Sequence, residues 1–283
     1  MSGYTTASAA ARQADQAPAS PDRPPARARR QLLGMASLVA GRPLRGLAVA
    51  LPAALSGACT APAIISTPGS QPLPAPALRR GDRWTYREIN RYNASEVARV
   101  EETLTTLSPA VSVETRVLPS EFSAGRVPRP VLLPEGRYDA QWRVSREVTY
   151  DTPLEFATPM PMLPDRLLVG QRRNDATTFR TEGVSGRYFW RQQLFAETME
   201  KVQTPAGQFD ALRIRRIILW QPTDPFRFDA RREDVLYYAP EVNRWVVREW
   251  RGRYRHETML DDPGMYREED WIRRELVDYR PAK

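Results

Sequence analysis

The chain of 283 residues carries 42 Lys and Arg against 34 Asp and Glu, with one His and one Cys. A single Cys excludes an intrachain disulfide framework, and a single His excludes a zinc site built from several His ligands. Seven Arg and two Asp precede Cys59, so the rest of the chain, with 35 basic and 32 acidic residues, is nearly balanced and the overall excess of +8 is weak evidence for nucleic-acid binding.

Residues 1–34 are rich in Ala, Pro, Ser and Arg and contain almost no large apolar residues, so they cannot bury a core. Met35 follows, and residues 35–58 have the length and layout of a complete signal peptide. We therefore expect translation to begin at Met35, with residues 1–34 as an untranslated extension of the reading frame. The alternative is a real, disordered N-terminal tail. In neither case does this segment contribute to the fold.

The signal-like segment ends at the only Cys. Arg42 and Arg45 precede an uncharged run, residues 46–58, which has the length of a signal-peptide apolar region. The run is shorter than the roughly 20 apolar residues that a membrane-spanning helix needs. Cys59 follows it directly, behind small residues. The segment therefore favours export over a permanent membrane span.

The five residues Leu55-Ser56-Gly57-Ala58-Cys59 resemble the lipobox of bacterial lipoproteins. In that family the Cys sulfur receives a diacylglycerol, the chain is cut before the Cys, and the new amine is acylated with a fatty acid such as palmitate. The match departs from the usual motif because Ser56 occupies the place of a large aliphatic residue. The resemblance implies lipidation at Cys59, and Thr60, where an Asp would favour the inner membrane, implies the periplasmic face of the outer membrane.

Two alternatives remain for this segment. Ser56-Gly57-Ala58 also fits an ordinary small-x-small cleavage site, which would leave a soluble periplasmic protein with a free thiol at Cys59. The apolar run could instead be a buried core helix. Residues 59–77 contain five Pro and no charge, so we predict an extended tether there. Residues 78–283 are then long enough for one folded domain.

From Leu78 onward apolar residues alternate with polar ones, and Pro, Gly, Asn and Asp interrupt the runs, which is typical of antiparallel strands. We predict a mainly β fold, a curved antiparallel sheet or half-barrel, without a long helix after Cys59. Strands are expected at 83–89, 97–107, 111–117, 138–150, 186–202, 209–220, 235–239 and 245–256, with a Pro-rich loop or edge segment at 153–164 and a short helix or final strand at 268–276. The side chains expected to be buried are Trp84, Trp142, Trp190, Leu212, Ile214, Trp220 and Trp250. The doubled Arg215-Arg216 interrupts the alternation and predicts a bulge.

Two further patterns bear on the fold. Leu78–Arg83 and Leu167–Arg172 precede similar strand patterns, which indicates two related β halves or, alternatively, two ordinary Gly turns. Thr204–Arg213, Tyr237–Pro240 and Trp245–Arg248 resemble uncharacterised bacterial envelope proteins that carry a Pro-Ala-Gly-x-Phe-Asp-Ala hairpin. This resemblance covers residues 165–280 and departs from the pattern at Arg173, where a Trp is common. It implies a curved antiparallel sheet and supplies no catalytic residues.

The sequence contains few residues that could form a catalytic, metal-binding or phosphate-binding site. His256 ends a predicted strand, no Gly-x-Ser-x-Gly elbow is present, and no Gly-rich phosphate loop occurs. We therefore expect no catalytic residue, no metal and no cofactor. A basic face is predicted, solvated and paired with cross-strand carboxylates, or alternatively facing anionic lipid heads or polysaccharide. Its members are Arg213, Arg215, Arg216, Arg248, Arg251, Arg253 and Arg255.

Three classes of function are consistent with these features. The first is a non-catalytic, lipid-anchored envelope protein that binds partners or has a structural role. The second is a carrier of an apolar or lipid ligand, with a candidate ligand face formed by Trp142, Trp190, Trp250 and Tyr254. The third is a hydrolase with an unrecognised site. The expected partners are the membrane, through the lipid on Cys59, and a lipid, polysaccharide or envelope protein, but not nucleic acid. An apolar cavity would favour the carrier, and a buried carboxylate pair with shifted pKa in a cleft would favour the hydrolase.

We predict that the protein in its native host contains no peptide from residues 1–34. The physical reason is that the signal layout is complete from Met35 onward, and 34 preceding polar residues would displace the apolar run from its position behind the N-terminal basic residues. Peptide mass spectrometry of the unprocessed precursor checks this. Detection of any peptide between Ser2 and Arg30 would contradict it.

Overall fold

The computed structural model describes residues 71–119, 130–150, 152–256 and 266–283. Residues 1–34, the predicted signal peptide at 35–58, Cys59 and the tether as far as residue 70 lie outside this description. The described part forms thirteen strands, which are Arg83–Asn90 (β1), Ser95–Thr106 (β2), Val111–Val117 (β3), Val131–Leu132 (β4), Gly136–Tyr138 (β5), Arg143–Glu147 (β6), Leu154–Pro161 (β7), Arg172–Thr181 (β8), Val184–Thr204 (β9), Gly207–Trp220 (β10), Arg227–Ala239 (β11), Arg244–His256 (β12) and Tyr266–Arg280 (β13).

Helical structure in the described residues is limited to one short 3-10 segment, Pro240–Val242. Across these same ranges, no helix has the length and apolar character needed to cross a membrane.

The sheet is antiparallel and closed. From β5 through β13 each strand pairs with the next along the chain, β13 pairs with β1, and β1 pairs with β2. The ring closes because β3 pairs with both β2 and β5. Within the described residues this gives a barrel of twelve strands, with β4 as an extra strand on the edge of β3. The prediction of a mainly β, curved antiparallel fold is confirmed, and the closure is more complete than a half-barrel.

Two hairpins follow directly from their turn residues. Gly207 opens β10 at a φ of +135°, a conformation that favours Gly, and closes the β9–β10 hairpin opposite Thr204. Between β11 and β12, Asn243 adopts the left-handed conformation at φ 56° after the 3-10 segment. The Asn243 side chain also accepts a hydrogen bond from the N–H of Ala77 at 2.9 Å. Both turns fall between predicted strands, where Pro, Gly or Asn interrupts the apolar alternation.

The prediction of one strand over residues 138–150 is wrong. The chain turns between β5 and β6 because the Asp139 carboxylate accepts hydrogen bonds from the N–H groups of Gln141 at 2.9 Å and Arg143 at 2.8 Å. This side-chain capping of a turn is a common role of Asp. Trp142 sits in the turn at φ 57°, and its ring still enters the core together with Tyr138 and Val144.

The predicted bulge at Arg215-Arg216 is also misplaced. The register between β9 and β10 shifts between Arg213 and Ile214 instead, and the pairing of β10 with β11 runs without interruption. Arg216 therefore stays in phase with Ile214 and Ile218, both of which face the core. The Pro-rich segment includes the full strand β7, and residues 268–276 belong to strand β13.

Aromatic side chains occupy the interior in two groups. Around Trp142 lie Tyr138, Trp245 and Trp84, with ring centroids at 5.1, 5.6 and 6.1 Å. Around Trp190 lie the rings of Phe156 at 4.9 Å, Tyr150 at 5.8 Å and Trp220 at 6.1 Å. The seven side chains predicted to be buried are all 8% exposed or less. The burial prediction is therefore confirmed.

We predict that Trp84→Ala lowers the free energy of unfolding by about 3–5 kcal/mol. Trp84 is fully buried, its indole N–H donates to the carbonyl of Val242 at 2.9 Å, and its ring stacks on Tyr279. Tyr92→Ala is the control, because Tyr92 is 54% exposed and should cost less than about 1 kcal/mol. Chemical denaturation of both variants measures the difference. Equal losses would contradict the assignment of Trp84 to the core.

Candidate functional site

Five charged side chains from four strands lie inside the barrel. We call them the Asp234 cluster, and its members are Glu147 of β6, Arg216 of β10, Arg232 and Asp234 of β11 and Arg248 of β12. Each is 3% exposed or less. Alternation along the strands directs them inward, since Arg232 and Asp234 occupy the same face of β11 as Ala230 and Leu236.

Asp234 is the centre of this cluster. One carboxylate oxygen, Oδ2, accepts from Arg216 Nη1 at 3.0 Å and from Arg248 Nη2 at 2.9 Å. The other, Oδ1, accepts from Arg232 Nε at 2.7 Å. One buried carboxylate therefore joins strands β10, β11 and β12 through charge-assisted hydrogen bonds, which are stronger than neutral ones.

The rest of the cluster connects to the opposite wall of the barrel. Arg248 Nη2 lies 3.5 Å from Glu147 Oε2, and Glu147 Oε1 accepts from the backbone N–H groups of Val148 and Thr149 at 3.1 Å. Arg216 Nη2 donates to Gln192 Oε1 at 2.9 Å. The Gln192 amide in turn donates to the carbonyl of Pro161 on β7 at 2.8 Å. The network thus spans the interior from β10–β12 to β6–β7.

The arginines determine the ionisation of the two acids. Burial alone would raise the pKa of Asp234, but the charges of Arg232, Arg248 and Arg216 outweigh it and hold this pKa well below its usual range. The same balance lowers the pKa of Glu147, with Arg248 as the strongest charge partner. Both carboxylates are therefore ionised at neutral pH, and neither can serve there as a general acid.

A second group of charges lies towards the Trp142 end of the barrel. Glu102 of β2 accepts from Arg274 Nη1 at 3.1 Å and forms an ion pair with Arg244 Nη2, and Arg274 also binds Glu88 at 2.6 Å. Burial would lower the pKa of Arg244, but the Glu102 carboxylate raises it above its ordinary value. These four side chains balance in charge, whereas the Asp234 cluster carries one excess positive charge.

Aromatic rings provide the remaining contacts of the buried guanidiniums. Arg244 Cζ lies 4.2 Å from the ring centroids of both Trp142 and Trp245 and 4.9 Å from that of Trp84. Its Nε and Nη1 make no hydrogen bond within the described residues. Cation–π attraction of this kind stabilises a desolvated cation by about 2 kcal/mol or more. The rings therefore replace part of the hydration that Arg244 loses on burial.

The structure separates the four residues of the candidate ligand face. Trp142 and Trp190 belong to different aromatic groups of the core and are 1% exposed or less. Trp250 lies beside three guanidiniums, with Arg232, Arg274 and Arg248 at 5.1, 5.3 and 5.4 Å from its ring. Tyr254 is half-buried next to Arg227 at 4.3 Å. Cys59 and its lipidation lie outside the described residues.

The predicted basic face needs a correction. Arg216 and Arg248 are buried inside the barrel, because both are in phase with inward-facing neighbours on their strands. Several of the outward arginines are paired as predicted, including Arg251 with Glu268 at 3.0 Å and Arg255 with Asp229 at 3.2 Å. His256 ends β12 as predicted, stacked on Phe226.

A cavity of about 400 Å³ lies on the outer side of the β6–β8 region. Arg146, Pro153, Glu155, Arg180, Thr181 and Glu182 line it. Its wall includes the exterior pair Arg146–Glu155 at 3.0 Å, in which the carboxylate is half exposed. Four of the six lining residues are therefore charged.

No family model matches the chain, and no curated protein matches it. Two solved structures are similar to it. A candidate lipoprotein from Parabacteroides distasonis aligns with 71% of this chain and 96% of its own length, at 11% identity and a TM-score of 0.40. A candidate exported protein with a YmcC-like fold from Bacteroides fragilis aligns over the same shares, at 14% identity and a TM-score of 0.36. At these values neither likeness assigns a family or a function to this chain.

Asp234→Asn should lower the free energy of unfolding at neutral pH by about 3–5 kcal/mol, because three buried guanidiniums lose their shared carboxylate. Asp210→Asn is the matched control, since Asp210 and its partner Lys201 are both more than 60% exposed and such surface pairs contribute about 1 kcal/mol or less. Urea titrations of both variants measure the difference. An Asp234→Asn protein as stable as the control would contradict the central role of this carboxylate.

Stability should also fall on the acid side. Asp234 and Glu147 have a lower pKa folded than unfolded, so their contribution is fully present above the unfolded value of about 4 and is lost as the pH falls below it. Thermal midpoints measured from neutral pH to below pH 4 check this, and the decline should be shallower in Asp234→Asn. A midpoint independent of pH in this range would refute the linkage.

Proposed function

We propose that this chain is an exported lipoprotein of the bacterial envelope, anchored through an acylated Cys59 at the periplasmic face of the outer membrane. The β domain has a binding or structural role there and no catalytic one. The observation that carries the proposal is the placement of the only Cys, Cys59, at the end of an uncharged run of signal-peptide length. The lipobox resemblance and the Pro-rich segment that follows Cys59 support the same arrangement.

The interior of the barrel supports a packed domain over a carrier. A carrier needs an apolar cavity that encloses most of its ligand's surface. Here Trp84, Trp142, Trp190 and Trp245 fill the interior together with two groups of ionised side chains. Burying an apolar ligand next to the Asp234 cluster would require displacing these rings or leaving charges unpaired, which costs several kcal/mol.

The charge state of the buried acids supports the non-catalytic role. A glycosidase-type or aspartic-type pair needs one carboxyl group that holds a proton near the working pH. Asp234 and Glu147 have lowered pKa values instead, and their oxygens are engaged by arginines and backbone N–H groups. We therefore assign these acids to the stability of the fold.

We predict that Cys59→Ser removes acylation. The intact mass of the parent protein, extracted from its own membranes, should equal the chain from Cys59 onward plus acyl groups, and the variant should lack those groups. Ser66→Ala, in the tether, is the matched control and should keep the acylated mass and the membrane location. An acylated mass in Cys59→Ser, or an unmodified parent chain, would contradict the proposal.

A further inference from the structure

The outer surface of the barrel carries a row of three arginines and one leucine across four strands. On β9, Arg191 lies opposite Leu219 of β10, Leu219 lies opposite Arg231 of β11, and Arg231 lies opposite Arg253 of β12. All four side chains are exposed. We call Arg191, Arg231 and Arg253 the arginine row. It is separate from the buried charges because these residues alternate with the inward-facing ones on each strand.

Among the described residues, none of the three arginines of the row has a carboxylate partner. The neighbouring acids are engaged by other arginines. Glu268, which lies opposite Arg253 in the ladder, binds Arg251 at 3.0 Å.

The acids beside Arg231 are engaged in the same way. Glu233 faces Arg215 at 4.0 Å, and Asp229 binds Arg255 at 3.2 Å. Like charges directly opposite each other destabilise a sheet, so the Arg231–Arg253 pairing lowers stability unless an external anion offsets it.

Exposed apolar side chains lie within and beside the arginine row. Arg191 Cζ lies 5.8 Å from the ring centroid of Phe189, and Arg253 Cζ lies 4.8 Å from that of Tyr266. Phe189 and Leu219 are each 45% exposed, and Tyr266 is 50% exposed. Arginines beside exposed aromatic rings match the chemistry of a membrane interface, where phosphates lie next to the acyl-chain boundary.

We propose that the arginine row, with Phe189, Leu219 and Tyr266, docks the domain on an anionic lipid surface. The guanidiniums bind lipid phosphates, and the three apolar side chains enter the headgroup region. These apolar residues favour a membrane over a soluble polyanion, which offers no apolar boundary. The inference deepens the proposed function, since the lipid on Cys59 would keep the membrane within reach.

The length of the chain permits this docking. The N–H of Leu73 donates to the carbonyl of Leu167, and Ala77 binds Asn243, so the described chain begins near the Asn243 end of the barrel. Arg253 lies about 30 Å further along β12 at the rise of a β-strand. Fully extended, residues 60–72 span up to about 45 Å. An anchor at Cys59 is therefore compatible with contact between the row and the bilayer.

The test measures sedimentation of the mature chain, residues 59–283, with vesicles of phosphatidylcholine, with and without phosphatidylglycerol. Every protein carries Cys59→Ser, so no acyl chain contributes and failure of the lipidation proposal does not affect the result. We expect binding only with phosphatidylglycerol, reduced by salt. Arg231→Gln/Arg253→Gln should weaken it about 30-fold, at roughly fivefold for each arginine removed.

Arg80→Gln/Arg166→Gln is the matched control, because both arginines are exposed and the pair removes the same net charge elsewhere. This variant should bind like the parent. Phe189→Ser/Leu219→Ser should weaken binding in low and high salt alike. If both double variants lose the same amount of vesicle binding, the binding depends only on net charge, and the proposal is overturned. Row-dependent binding to immobilised dextran sulfate without vesicle binding would identify a polyanionic glycan instead, which also overturns it.

Discussion

The ion pairs of Asp234 with Arg216, Arg232 and Arg248 are the interaction on which the rest of the structure depends. They place a shared negative charge in the middle of the barrel and connect three adjacent strands to it. Removing a charge from water is costly, and the cost is recovered only when each ion is well paired and hydrogen-bonded. The arrangement meets that condition at Asp234, where both carboxylate oxygens accept from guanidiniums. It therefore fixes the side-chain register of β10, β11 and β12 relative to one another.

This constraint determines what the interior can hold. The two aromatic groups, around Trp142 and Trp190, are bridged by guanidiniums that contact both rings and carboxylates. Arg248 lies 6.0 Å from the Trp245 ring of the Trp142 group, and Arg232 lies 4.6 Å from the Tyr150 ring of the Trp190 group. Both guanidiniums bind the carboxylate of Asp234. An interior built in this way is crossed by fixed charges and is poorly suited to an apolar ligand. The outer surface, where charges are solvated, is the better place for interactions with partners.

Much of the fold could be predicted from the sequence because it depends on local signals. Period-two alternation located most strands and the buried tryptophans, and Gly207 and Asn243 marked their turns. The break at Asp139 was missed, since the apolar spacing of Tyr138, Trp142 and Val144 suits both a continuous strand and a turn whose Trp points back into the core. The closure of the barrel was missed because it depends on the pairing of β1 with β13, which lie at opposite ends of the folded domain.

The buried charges were missed for a different reason. Alternation alone directs these charges inward. Arg216 lies between Ile214 and Ile218 on one face of β10, and Arg232 and Asp234 lie between Ala230 and Leu236 on one face of β11. Arg216 and Arg248 were expected on the solvated face because charged residues are rarely buried. The signal that could have identified the cluster was present on two paired strands. On each of them a charged residue is in phase with buried apolar neighbours, and the two strands supply charges of opposite sign. The lipidation of Cys59 depends on residues outside the described structure and stays a prediction from the sequence.

The central claim is that the barrel interior is a packed, charge-paired core and not a ligand cavity. Native mass spectrometry of the protein, extracted gently from its own membrane, tests it most directly. The account predicts the mass of the covalent chain with any attached groups and no ligand enclosed by the barrel. A co-purifying apolar ligand that Trp190→Ala releases without loss of stability would contradict it.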